Sequence, residues 1–245
     1  MKQNWNSGNL RVWKIAASMA LAVVLAGSSF AQKTTEVFVL STMHQYHGED
    51  NSYTFNKLSE IVEGYRPDVI AVELTFADLD SRKEQKTKHE YQKSIFPTAD
   101  KLKAKMVPME PADPTFSKLV GLIRASEAEL NETRPDAAAA FLKYVDLLYG
   151  YLFKYWKSAS EVNSKQTDAM FEVKHNYQND LFGEKQRRGW EGWNTHFLEK
   201  IKEAVRANPG KRIIVIVGAE HSYWLRQKLR VQEGIRLVEP DEVLK

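Results

Sequence analysis

Two histidines stand at matching places in this chain. Val37, Phe38, Val39 and Leu40 run into Ser41, Thr42, Met43, His44, and the run Ile213 to Val217 stops at Gly218, Ala219, Glu220, His221. Two further apolar runs end in carboxylates: Val69 to Val72 leads into Glu73, and Lys105 to Met109 leads into Glu110. Either histidine alone is equally well explained as an ordinary loop residue. Two at equivalent positions, with two carboxylates at the same kind of position, point to a site. Two imidazoles and one or two carboxylates can hold Zn²⁺, Mn²⁺, Co²⁺ or Fe²⁺. Such an ion polarises a carbonyl and lowers the pKa of bound water towards neutrality. The same residues also suit a metal-free reaction, in which a glutamate orients a histidine that activates water as a general base.

These residues meet only if the runs that carry them lie side by side. The stretch Ile213 to Val217 is β-branched and apolar without alternation, as expected of a central parallel strand covered on both faces. Open sheets of this kind place ligands at the carboxyl ends of their strands. Thr35 to Leu40 reads as the first strand, Tyr53 to Tyr65 as a helix, Val69 to Val72 as the second strand and Lys105 to Met109 as the third. Ile235 to Val238 is a last short strand, and Pro108 confines the third strand to a sheet edge. The charged stretch Ser81 to His89 suggests a solvated helix, and Ser222 reads as a cap for the helix that follows His221. From Thr115 to Asn208 the pattern is helical, with breaks near Thr133 to Pro135 and near Phe182 and Gly183. The expected fold is α/β: a mainly parallel central sheet flanked by helices, with a multi-helix insertion of about residues 115–208 between the third strand and the C-terminal strand. Within the insertion, Tyr144, Leu147, Leu148, Tyr151, Leu152, Tyr155 and Trp156 form an aromatic stripe. It reads as core packing or as a wall over the site.

The chain begins with Arg11 and Lys14 before an apolar stretch from Ile15 to Ala26, then Gly27, Ser28, Ser29, Phe30, Ala31. This is the pattern of a secretory signal peptide cleaved before Gln32, leaving residues 32–245 as one exported domain, periplasmic or secreted, with no stable membrane anchor. The chain has no cysteine, which excludes disulfides, thiolate ligands, a cysteine nucleophile and lipid attachment of the bacterial lipoprotein kind. Lysine and arginine number 35 against 32 acids, but Lys2, Arg11 and Lys14 belong to the leader and no acid does, so the mature chain is formally neutral. Composition therefore gives no electrostatic case for nucleic acid.

No His-Glu-x-x-His helix, phosphate loop, dinucleotide fingerprint or Gly-x-Ser-x-Gly elbow is present. His89, His175 and His196 fall on expected helices as surface or packing residues, whereas His47, close after His44, is a candidate for binding substrate. Three segments, Ser41-Thr-Met-His44, Arg66-Pro-Asp-Val-Ile-Ala-Val-Glu73-Leu and Val217-Gly-Ala-Glu-His221, resemble the motifs of the TraB/GumN/Tiki superfamily, which takes in erythromycin-esterase-like and ChaN-like proteins. Ser41 stands where that pattern has glycine.

The resemblance implies an α/β fold and a site shared by both histidines and Glu73. Members include metal-dependent proteases and esterases. The expectation is an exported, metal-dependent hydrolase of a peptide, ester or lactone bond, acting on a small-molecule or peptide substrate. In it His44 and His221 would hold the metal, Glu73 would be a further ligand or the general base, and Glu110 would support them. Arg82 and Asn194 are placed at the substrate from the resemblance and the expected topology. The alternative is a ChaN-like protein that binds haem or another small ligand without catalysis.

Overall fold

The computed structural model describes residues 34–48 and 51–244. The expected leader and its cleavage site lie outside them. Five strands form one sheet in the order β3-β2-β4-β1-β5: β1 (Thr35–Thr42), β2 (Val69–Val72), β3 (Lys105–Pro108), β4 (Arg212–Gly218) and β5 (Ile235–Val238). All their pairings are parallel, so every carboxyl end faces the same edge.

Successive residues of a strand point to opposite faces, and here both faces are covered. Phe38, Leu40, Ile70, Val72, Ile214 and Ile216 pack on one side with Leu58, Ile61 and Val62 of helix α1 (Phe55–Tyr65). Val37, Val39, Val69, Ile213 and Val215 pack on the other with α8 (Glu184–Ala207) and α9 (Ala219–Leu229). Each such residue, fully withdrawn from water, contributes about 1.5–3 kcal/mol. That is why the apolar runs become central strands. Helix α1 starts at Thr54, whose side chain accepts the Lys57 N–H, and ends where Arg66 turns left-handed (φ 52°) before Pro67.

Strand β1 runs two residues further than its apolar pattern, because Ser41 and Thr42 pair in register with Val217 and Gly218. The two histidine segments therefore leave adjacent central strands. Between β3 and β4 lie α4 (Thr115–Thr133), α5 (Pro135–Tyr155), α6 (Ala159–Val162), α7 (Lys165–Phe182) and α8. The expected breaks at Arg134 and Gly183 are present, and further breaks isolate α6.

Two local expectations are corrected. The stretch 81–89 is not a helix: α2 (Phe76–Ser81) stops where Arg82 turns left-handed (φ 46°), the chain runs irregularly through His89, and one wide turn at Tyr91–Ile95 precedes α3 (Phe96–Leu102). Arg82, Lys83, Glu84 and Lys86 in it are exposed, whereas Lys88, and Glu90 just after it, turn inward to opposite charges or imidazole. Ser222 is not a cap, because α9 already begins at Ala219; its hydroxyl accepts a hydrogen bond from Ser41 Oγ at 2.7 Å inside the protein. Gly218 ends β4 with φ −57° and ψ 144°, a backbone that any residue can adopt.

Candidate functional site

Glycine at 218 is required by proximity. A Cβ there would lie 2.7 Å from His44 Nε2 and 3.5 Å from Glu73 Oε2, so the absence of a side chain lets both groups close on the β4 end. The Gly218 N–H donates to Glu73 Oε2 at 2.8 Å. His44 itself takes a left-handed backbone (φ 50°), unusual for a residue with a Cβ. His221 lies in the first turn of α9. The β1, β2 and β4 ends thus bring His44, Glu73 and His221 around one glycine.

Each histidine is oriented through Nδ1. His44 Nδ1 donates to Glu90 Oε1 at 2.7 Å, and that fully buried carboxylate also accepts Thr42 Oγ1 at 3.1 Å. His221 Nδ1 pairs with Asn194 Oδ1 at 2.9 Å. The Asn194 amide nitrogen donates to the Trp190 carbonyl, which fixes the amide so that its oxygen faces His221. Both imidazoles therefore carry their proton on Nδ1 and leave Nε2 as the free base position. Burial works against the charged form of His44, but the hydrogen bond and charge of Glu90, with Glu73 behind, outweigh it and hold its pKa above the usual 6.5. Burial dominates at His221, against the pull of Glu73 and Glu220, and its pKa falls.

Behind them lies a buried ion cluster. Lys88 Nζ donates to the Glu73 carbonyl at 2.8 Å and to both Glu110 oxygens at 3.0 and 3.1 Å, and lies 3.2 Å from Glu73 Oε1. Burial would raise the pKa of Glu73, yet Lys88, the two histidines and the Gly218 N–H together push it down to about 2. Burial raises that of Glu110, with Lys88 opposing.

Both histidines, Thr42 and Glu220 line a pocket of about 530 Å³. Its far wall is α5, through Asp146, Tyr149 and Phe153, with Trp156 directly after the helix. Of the expected aromatic stripe Trp156 reaches the pocket, while Leu148 and Leu152 are buried elsewhere and Leu147 and Tyr151 are exposed. Glu220 is held by Lys174 at 2.9 Å, His175 at 3.1 Å and the Tyr149 hydroxyl.

The other expected site residues lie apart from the pocket. His47 is buried under the turn, Nδ1 donating to the Tyr53 carbonyl at 2.9 Å and Nε2 accepting the Met43 N–H at 3.0 Å; burial drops its pKa to about 4. Asn194 is fully buried behind His221. Arg82 is paired on the surface with both oxygens of Asp100, at 2.6 and 2.7 Å. Glu90, Lys88, Tyr149 and Lys174 were not singled out from the sequence. The first two fall in a charged stretch with no pattern to distinguish buried charges from solvated ones.

The fit of a metal can be judged from the donors. Glu73 has one oxygen on the Gly218 N–H and the other facing the Lys88 ammonium, which also occupies Glu110. Among the described residues no three histidine, aspartate or glutamate side chains are close enough to share an ion. In this arrangement Lys88 supplies the positive charge of the acidic cluster, and both Glu73 oxygens already have partners. Compared with protein-family models, curated proteins and solved structures, the chain matches none.

Proposed function

We propose that the chain is an exported hydrolase of an ester, lactone or peptide bond, in which His44 is the general base. The observation that carries this reading is the 2.7 Å pair between His44 and the fully buried Glu90, at the wall of a pocket large enough for a small substrate. A carboxylate on Nδ1 fixes the tautomer that leaves Nε2 basic and stabilises the imidazolium once it forms. His44 Nε2 takes a proton from water as the water oxygen attacks the carbonyl carbon. The imidazolium then returns that proton to the leaving oxygen or nitrogen as the bond to carbon breaks. His221, neutral and held by Asn194, offers a second Nε2 to the same space. The TraB/GumN/Tiki resemblance supports a hydrolase at this sheet edge. The metal-dependent form of the reaction does not suit donors already committed to Lys88, and no step is assigned to an ion.

The pH profile tests this mechanism. The base must be neutral, so kcat/KM should rise with pH through the His44 pKa, which lies above 6.5 in the wild type. Glu90→Gln removes the largest influence raising it and leaves burial, so the acid limb should move to lower pH while maximal kcat falls. An unchanged limb on a panel of p-nitrophenyl esters and lactones, or activity abolished by a chelator and restored by a divalent ion, would overturn the general-base mechanism. A stoichiometric Soret shift on adding haem, lost in His44→Ala or His221→Ala, would move the site to ligand binding instead.

Export is proposed from the sequence of the leader. Amino-terminal sequencing of the exported protein should begin close to Gln32, and a mature chain starting before Gly27 would sink the proposal.

A further inference from the structure

The far wall of the pocket is built from one face of α5, where Asp146, Tyr149 and Phe153 recur at helical spacing and all line the cavity. Tyr46, from the turn after β1, meets Phe153 edge to face with ring centroids 5.1 Å apart, and Tyr149 is tilted against Phe153 at 6.1 Å. The result is a corner of three rings with a carboxylate one helical turn away. The charged side chains that line the pocket are Asp146 and Glu220, beside the two histidines; no lysine or arginine is among the lining residues.

The carboxylates differ in what they already hold. Glu220 is engaged by Lys174 and Tyr149, Glu90 by His44, and Glu73 and Glu110 share Lys88. Asp146 is exposed at the pocket mouth and, among the described residues, has neither a hydrogen-bond nor an ion-pair partner. Of the two carboxylates in the lining Glu220 is matched by Lys174 and Asp146 is not matched, a negative excess that a cation entering the pocket would relieve. Aromatic faces attract a cation through the ring quadrupole, and more strongly where water is displaced.

We propose that the pocket takes a molecule bearing a cationic amine, with the ammonium group seated against Tyr46, Tyr149 and Phe153 and facing the Asp146 carboxylate. This deepens the hydrolase reading, and rests on it only for what happens to the molecule once bound: the substrate class becomes esters or lactones that carry an ammonium group.

Choline and its neutral isostere 3,3-dimethylbutan-1-ol have the same shape and differ in charge, so calorimetric titration of each into the full mature chain isolates the contribution of the cation. Choline should bind about fivefold tighter or better. Asp146→Asn and Tyr46→Leu, both at exposed positions where folding is not at stake, should each cut that preference. Equal affinity for the two probes, no binding of either, or a preference untouched by both substitutions overturns the proposal. The hydrolase reading is tested separately by comparing acetylcholine with 3,3-dimethylbutyl acetate in a pH-stat. A choline preference without hydrolysis of either ester sinks the hydrolase reading and leaves the cation site standing. Hydrolysis of both at equal kcat/KM, with no choline preference, does the reverse.

Discussion

His44→Ala should lower kcat/KM on any ester or lactone the protein hydrolyses by about 10²- to 10⁴-fold, the usual contribution of a positioned general base. The loss arises at Nε2, which no neighbour replaces: His221 is anchored on a different strand end by Asn194 and is pushed towards its weaker-base form by burial. The variant is also less stable. His44 is a partner of a carboxylate with no exposure to solvent, and Glu90 Oε2 already lacks a hydrogen bond, so removing the imidazole leaves that charge resting on Thr42 alone. An unsatisfied buried group of this kind costs about 1–3 kcal/mol. That is a large share of the ordinary 5–15 kcal/mol of a domain, yet it leaves the protein folded at 25 °C. Urea melts and kinetics on the same preparation separate the two effects. A variant that keeps its activity removes His44 from the chemistry, whatever its stability.

Lys88→Met should be the most destabilising single change at the site, by about 3–5 kcal/mol at pH 7, because it strips the counter-ion from the buried Glu73 and the partly buried Glu110 at once. The effect has a definite pH dependence. In the wild type the pKa of Glu73 is depressed from 4.5 to about 2, so its stabilising contribution is complete above 4.5 and is lost as pH falls through 2. Without Lys88 the burial of Glu73 is opposed only by the histidines and the Gly218 N–H, and its pKa climbs. A group with a raised folded pKa stabilises below its unfolded pKa and loses that contribution as pH rises. The gap in stability between wild type and variant should therefore widen from pH 4 to pH 7. Denaturant midpoints at the two pH values measure it. A gap independent of pH would mean that Lys88 acts through packing and not through the charge of Glu73 and Glu110.

The strand ends were legible in the sequence because the signal there is simple. A run such as Ile213 to Val217 can be buried on both faces only at the centre of a parallel sheet, and a polar residue directly after such a run must fall at its carboxyl edge. Glu73 follows from that alone, while His44 and His221 lie a few residues beyond their runs and Glu110 follows the partly exposed edge strand β3. What completes the site was not legible, because its partners come from segments without periodicity. Lys88 sits in an irregular passage rich in charge and Glu90 at the start of the wide turn that follows it, and only the folded chain distinguishes them from Lys83 or Glu84, which stay exposed. His47 illustrates the converse. A second histidine three residues after His44 looks functional, yet both its nitrogens are spent on the backbone of its own turn. Ser41 lies inside β1, where its hydroxyl is bonded to Ser222 and receives Arg226 Nη2 at 3.1 Å.

The in-register pairing of Thr42 with Gly218, on the two strands β1 and β4, bears on how the site comes apart. Each of these strands has a neighbour on both sides, so their amide protons should exchange with solvent deuterium only through the deepest openings of the native state. The two histidine backbones are thereby registered to each other by the last hydrogen bonds to be lost. Glu90 enters from outside that scaffold, at the start of the wide turn Tyr91–Ile95 that follows the irregular passage after α2. A local fluctuation there would disengage the carboxylate while the imidazoles keep their places. Warming should then extinguish turnover some degrees before the sheet melts, with deuterium uptake first at residues 82–90 and last at 37–40 and 213–217.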